Sequence, residues 1–191
     1  MDTLVFDIET KNFFTDPGVG WNNFDALQIS MVCVYSYAKD KYFSFDENQL
    51  DEAAKLFDSG SLLVGFSSNR YDIPVLDVHF GKLPGEKVNL WDKNRLDLLE
   101  EIEMAFGQRI SLDKLSRANF GVGKEKKGYE AIAMYKNGEM EELKKYCLQD
   151  VRLTKDLYDL YRDKGELMVP NVKTGDSVKV NFQNAKAQSL F

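Results

Sequence analysis

Phe6-Asp7-Ile8-Glu9-Thr10 ends the first apolar run of the chain, and the later elements are placed relative to it. The run from Thr3 to Ile8 is rich in β-branched and aromatic residues, which predicts a short buried strand. Side chains alternate along a strand, so Asp7 and Glu9 share one face while Phe6 and Ile8 share the other. Two carboxylates side by side on a core strand repel each other and resist desolvation. Something positive should face them, and a divalent cation is the simplest candidate. With 31 acidic residues among 191, such a pair also arises by chance on a solvated surface. The rest of the chain decides between the two.

Outward from that strand, Lys11 to Ala26 reads as a loop, marked by Asp16-Pro17-Gly18 and Gly20. Leu27 to Tyr37 is a long strand with Ile29, Met31, Cys33, Tyr35 and Tyr37 at period two. Lys39-Asp40 turn the chain back into Tyr42-Phe43-Ser44-Phe45, an antiparallel hairpin. Asn48 to Phe57 has helical spacing and ends before Gly60. Leu62 to Phe66 follows as a buried strand, and this crossover implies parallel pairing with an earlier strand. A helix from about Pro74 to Phe80 and a fifth strand at Asn89-Leu90-Trp91 come next. From Leu96 the pattern is helical, broken at Gly107, Gly121 to Gly128 and Asn137-Gly138, with the longest helix from about Met140 to Arg162. The tail, with Lys173-Thr174-Gly175-Asp176 between two apolar runs, reads as a small hairpin or ordered strap. Hairpin strands, then βα units, then helices make an α/β domain around a mixed sheet. The expected division is one domain over residues 1–163, with a tail over 164–191 packing on it.

The length suits one domain with a real core, and the 43% hydrophobic share is that of a folded protein. A net charge of −6 argues naively against nucleic acid, but that inference weakens if the acids exist to hold metal. Two cysteines, Cys33 and Cys147, are neither a disulfide framework nor a zinc set, so a reducing compartment and a cytoplasmic location are expected. Asp2 and Asp7 interrupt any signal-peptide core, and no apolar run approaches a membrane span.

Two further sites carry acids where a core should not. Gly65-Phe66-Ser67-Ser68-Asn69-Arg70-Tyr71-Asp72-Ile73-Pro74 leaves the end of the fourth strand and enters a helix, where α/β folds place their sites. Asp72 there is read either as functional or as favouring the first turn of the helix that Pro74 opens. In the long helix, Leu143, Cys147, Thr154, Leu157 and Tyr161 form an apolar stripe with Val151 beside it, and Asp150 falls inside it. A buried acid wants a counter-charge. Arg152 and Lys155 point elsewhere on the helix wheel, while Tyr146 lies one turn earlier on the same side.

Phe6-Asp7-Ile8-Glu9-Thr10, then Asn69-Arg70-Tyr71-Asp72, then Tyr146 with Asp150 together resemble the three motifs of the DnaQ-like (DEDD) 3′–5′ exonuclease superfamily, over residues 1 to about 163. Each motif is short; their ordered set on strand, loop-to-helix and helix is specific. The resemblance implies a ribonuclease H-like fold and a two-metal nuclease. In that superfamily the third motif carries a Tyr or a His before the final Asp. The only histidine here is His79, and Lys145 stands where the His form needs it, so the chain resembles the Tyr branch. Arg95-Leu96-Asp97-Leu98-Leu99 and Tyr146-Cys147-Leu148-Gln149-Asp150-Val151 are similar to the YprB-like predicted exonucleases, some of them helicase-linked.

Breaking a phosphodiester needs a nucleophile, neutralisation of the phosphoryl oxygens and help for the leaving 3′ oxygen. Two Mg²⁺ or Mn²⁺ ions roughly 3.5–4 Å apart supply all three, and four carboxylates suit such hard cations. The resemblance implies that Asp7 bridges both ions, Glu9 and Asp150 hold the one carrying the attacking water, and Asp72 serves the other. Tyr146 suits orienting that water better than deprotonating it. Thr10 and Asn69 are expected to contact the terminal nucleotide, and Lys124, Lys126 and Lys127 to touch phosphates unless that charge run is simply a solvated surface. Asp97 reads as a helix cap rather than a fifth ligand. Phe13, Phe14 and Trp21 either stack unpaired bases or pack on the sheet edge. The expected substrate is the 3′ end of single-stranded DNA or RNA. A helicase or polymerase partner is compatible with the resemblance, although no residue specifies one. The competing class is a non-catalytic nucleic-acid-binding or partner-docking module, which has no reason to keep four acids and the Tyr.

Overall fold

In the computed structural model, which describes residues 1–85, 88–123 and 128–182, the first strand, β1, runs from Asp2 to Thr10. It takes the centre of a five-stranded sheet. On one side it pairs antiparallel with β2 (Ile29–Ser36), which pairs in turn with β3 (Lys41–Asp46). On its other side it pairs parallel with β4 (Gly60–Gly65), followed by β5 (Asn94–Asp97), giving the order β3-β2-β1-β4-β5. The hairpin β2–β3 supplies the antiparallel half. Helix α1 (Leu50–Ser59) makes the crossover that the parallel half requires.

Helices cover both faces. Phe6, Ile8, Val32 and Val34 bury one face with α1 and α2 (Asp72–Phe80), where Phe57 stands edge-on to Phe6 and Phe80 to Phe57. Val5, Met31, Cys33 and Val64 bury the other with α3 (Leu98–Phe106), α4 (Leu112–Phe120), α5 (Gly128–Lys136) and the long α6 (Met140–Lys164). Every residue of β2 is buried, not only its period-two row, because the strand is covered from both sides. A short hairpin of β6 (Glu166–Pro170) and β7 (Ser177–Asn181) follows, and its Leu167, Val169 and Val180 join the core beneath α6.

One expectation is corrected. The fifth strand is Asn94–Asp97, and Asn89-Leu90-Trp91 enters a 3₁₀ turn over Leu90–Asp92. Asn89 turns the chain by accepting from the Trp91 amide at 3.0 Å and donating to Asp92. Such Asx geometry competes with a strand ladder. The true strand is short and opens with the polar pair Asn94-Arg95; its extended form comes from register with β4, in which Leu96 faces Val64. Among the described residues, no helix is long and apolar enough to cross a membrane.

Candidate functional site

The site forms where β1 outlasts its parallel neighbour. The β1–β4 ladder stops at Val5 opposite Val64, so the backbone of residues 6 to 10 has no strand partner on that edge. At Gly65 the chain turns away sharply. A Cβ on Gly65 would lie 2.4 Å from Cβ and Oγ of Ser68, so only glycine fits this approach. Ser67 takes the left-handed conformation with φ of 63°. Asp97, at the end of β5, holds the turn: its carboxylate accepts from the amides of Ser67 at 2.8 Å and Asn69 at 3.0 Å, and caps α3 through Leu99 and Glu100. Burial pushes the Asp97 pKa up, against these amide donations. Asp97 is therefore the cap that the sequence suggests, with the turn as a second duty.

That turn delivers Asp72 to the open edge of β1. Its Oδ1 accepts from the amide of Ile8 at 3.1 Å, between Asp7 and Glu9, so a distant acid satisfies the amide that the missing ladder leaves over. Asp7 and Glu9 continue the row begun by Val5 on the α6 side, and Phe6 lies in the opposite core. From α6, Asp150 enters their space, 2% exposed. Asp7, Glu9 and Asp150 each offer an oxygen within 4.8 Å of the others, a grouping that could hold a metal ion. The donors are hard carboxylate oxygens, the chemistry that suits Mg²⁺ or Mn²⁺. Asp72 stands outside this triad, joined to it through the strand backbone.

Tyr146 is buried beside the cluster. Burial pushes its phenol pKa up, and Asp150, Glu9 and Asp7 add to the effect, so the hydroxyl keeps its proton. Cys147 is fully buried, with Sγ 3.5 Å from the carbonyl of Asp7 and 3.8 Å from its Oδ2. Burial and the neighbouring Cys33 raise that thiol, so it sits behind the acids as a neutral donor.

The two expected nucleotide contacts have structural partners. Thr10 is buried, and its hydroxyl donates to the carbonyl of Asn12 and meets the phenol of Tyr71 at 2.9 Å. Asn69 donates to Glu100 at 2.7 Å and accepts from Arg95 at 3.2 Å. Lys124, Lys126 and Lys127 lie outside the described residues. The sequence alone assigns Tyr71 no role. It bridges Thr10 and the ring of Phe14, and burial followed by the charges of Asp72, Glu9 and Asp7 pushes its phenol to about 12, with the Thr10 bond opposing. Lys11, next after Thr10, pairs with Glu47, which also accepts from Tyr135, tying α5 to the end of β1. No local pattern announces that tie, since Glu47 and Tyr135 are 88 residues apart.

A mixed sheet of this order, with helices on both faces and acids on its central strand, defines an RNase H-like α/β protein. The family model described as the RNase_H superfamily matches residues 4–162, and the chain belongs to that superfamily. Among solved structures, the family B DNA polymerase from the hyperthermophilic archaeon Pyrobaculum calidifontis is similar, with a TM-score of 0.64 and 20% identity over 84% of this chain. The chain spans 24% of that polymerase chain, and the likeness is one of fold. No curated protein sequence matches.

Proposed function

We propose that the chain is a metal-dependent 3′–5′ exonuclease of the DEDD type, Tyr branch, removing nucleotides from the 3′ ends of single-stranded DNA or RNA. The observation that carries this reading is the meeting of Asp7, Glu9 and Asp150 within 4.8 Å at the open end of β1. Ionised carboxylates gathered from a strand and a distant helix repel one another, and cations offset that repulsion. Fold likeness to a DNA polymerase supports a nucleic-acid substrate.

Asp7, Glu9 and Asp150 would hold the metal, with Asp72 completing a set of four for two ions. Bound there, two divalent ions supply an activated water, neutralise the phosphoryl oxygens and stabilise the leaving 3′ oxygen. The protein's own groups do the rest. Asp72 and the Ile8 amide fix the strand on which Asp7 and Glu9 stand. Tyr146, kept protonated, donates a hydrogen bond that orients the nucleophile without removing its proton. Thr10 acts through Tyr71, and Asn69 through Glu100 and Arg95; both position the rim of the site.

End-labelled DNA and RNA oligonucleotides test this. Laddering from the 3′ end is expected with Mg²⁺ or Mn²⁺ and should vanish in EDTA. Internal cuts, or digestion that survives the chelator, would overturn the assignment.

A further inference from the structure

Trp21 is the most exposed aromatic side chain among the described residues, 76% accessible, yet it sits on a loop that is tied down. Asn12 fastens the loop by donating to the carbonyl of Ala26 and accepting from the amide of Gln28, and Lys11 donates to Gln28. Asp16 accepts from the amide of Phe13, while Val19 is buried beneath. The indole stacks on Phe14, with centroids 5.7 Å apart and planes inclined by 28°. Phe14 stands edge-on to Tyr71 at 5.7 Å, and Tyr71 reaches Thr10, the residue after Glu9. An unbroken line of contacts thus runs from the acid site to a ring left in water.

We propose that Trp21 is a stacking platform for an unpaired nucleobase of the strand whose 3′ end lies at the acids. The proposal rests on the nuclease function above and names the form of substrate that the site selects. An aromatic face accepts any base, so the platform carries no sequence preference. A base inside a duplex already has both faces covered, so a paired end gains nothing from the indole. Because the loop is held by its own hydrogen bonds, little ordering is left to be done on binding.

The chain has two tryptophans, which makes the test direct. Trp91 stacks against the Arg95 guanidinium at 4.9 Å and is no member of this line of contacts, and phenylalanine keeps a ring for that guanidinium. Trp91→Phe leaves Trp21 as the sole reporter, and Asp7→Asn blocks hydrolysis during titration. Oligothymidylate should then quench the fluorescence saturably. In the otherwise native protein, Trp21→Ala should raise KM for oligothymidylate by about five- to a hundredfold with a much smaller change in kcat, and Trp21→Phe should recover most of that loss. A flat fluorescence signal while anisotropy of a labelled oligonucleotide reports binding, or an unchanged KM in Trp21→Ala, overturns the platform and leaves the indole to a protein partner. Mn²⁺-dependent hydrolysis of thymidine 5′-(p-nitrophenyl phosphate) by the native protein tests the metal site separately. Hydrolysis of that ester with a flat signal overturns the platform alone. Failure to hydrolyse either substrate overturns the nuclease function and the platform with it.

Discussion

At the scale of single residues, Tyr146 and Gly65 show what burial does to a hydroxyl and to a turn. Burial and the charges of Asp150, Glu9 and Asp7 keep the Tyr146 phenol protonated, so it has a proton to donate in the role proposed for it. Tyr146→Phe removes only the hydroxyl; kcat should fall by about tenfold to a hundredfold, the cost of a misplaced nucleophile, with KM nearly unchanged. Steady-state kinetics on a labelled oligonucleotide would show it, and an unchanged kcat would return Tyr146 to packing. Gly65 acts on the fold. Its missing Cβ admits Ser68, which is buried, so Gly65→Ala should destabilise by about 1–3 kcal/mol, read from urea unfolding. A neutral result would mean that the turn after β4 relaxes freely.

At the scale of elements, the decisive feature is an inequality of length: β1 continues to Thr10, whereas its ladder with β4 ends at Val5. The gap admits the turn that carries Asp72, and Asp97 holds that turn while capping α3. Asp97→Ala would leave the buried Leu99 amide and those of Ser67 and Asn69 without their acceptor. A loss of about 2–4 kcal/mol is expected, more than an ordinary helix cap provides. Hydrogen exchange should localise the opening to residues 66–72 as well as to the start of α3. Protection lost in α3 alone would show that Asp97 is only a cap. The wrong placement of the fifth strand belongs at this scale too. Asn89-Leu90-Trp91 and Asn94-Arg95-Leu96-Asp97 are both too short for periodicity to separate, and pairing with β4 chooses the second.

At the scale of the whole molecule, a metal held by the acid cluster would be joined to stability. Asp7, Glu9 and Asp150 come from the middle of the sheet and from the long helix packed on it, so the fold itself draws these carboxyl groups together. A cation that binds only the folded state adds about 2.7 kcal/mol at a hundredfold excess over Kd. The melting temperature should therefore rise with Mn²⁺ beyond the effect of Na⁺ at matched ionic strength. Asp7→Asn should blunt that rise and leave the metal-free protein as stable or more so, since it removes one repelling charge. Destabilisation of the metal-free variant by several kcal/mol, with the metal response intact, would make Asp7 a structural acid.

The alternation of Phe6-Asp7-Ile8-Glu9 by itself determined that both acids share a sheet face, and the helical spacing of Leu143, Cys147, Asp150 and Val151 determined that Asp150 points into the core. Side-chain direction within one strand or helix is a local property, with periods of 2 and 3.6, so it is legible in the chain. The antiparallel hairpin, the parallel β4 and the breaks between the later helices were legible for the same reason, through turn residues and periodicity. Tertiary structure alone decided which distant groups meet. Asp72 reaches the Ile8 amide across 64 residues, Tyr71 finds Thr10 across 61, and Asn69 is held by Glu100 and Arg95. Those contacts depend on where the β1–β4 ladder stops and how the chain turns at Gly65 and Ser67. No residue carries that information in its own neighbourhood, because it is set by the register of two strands more than fifty residues apart.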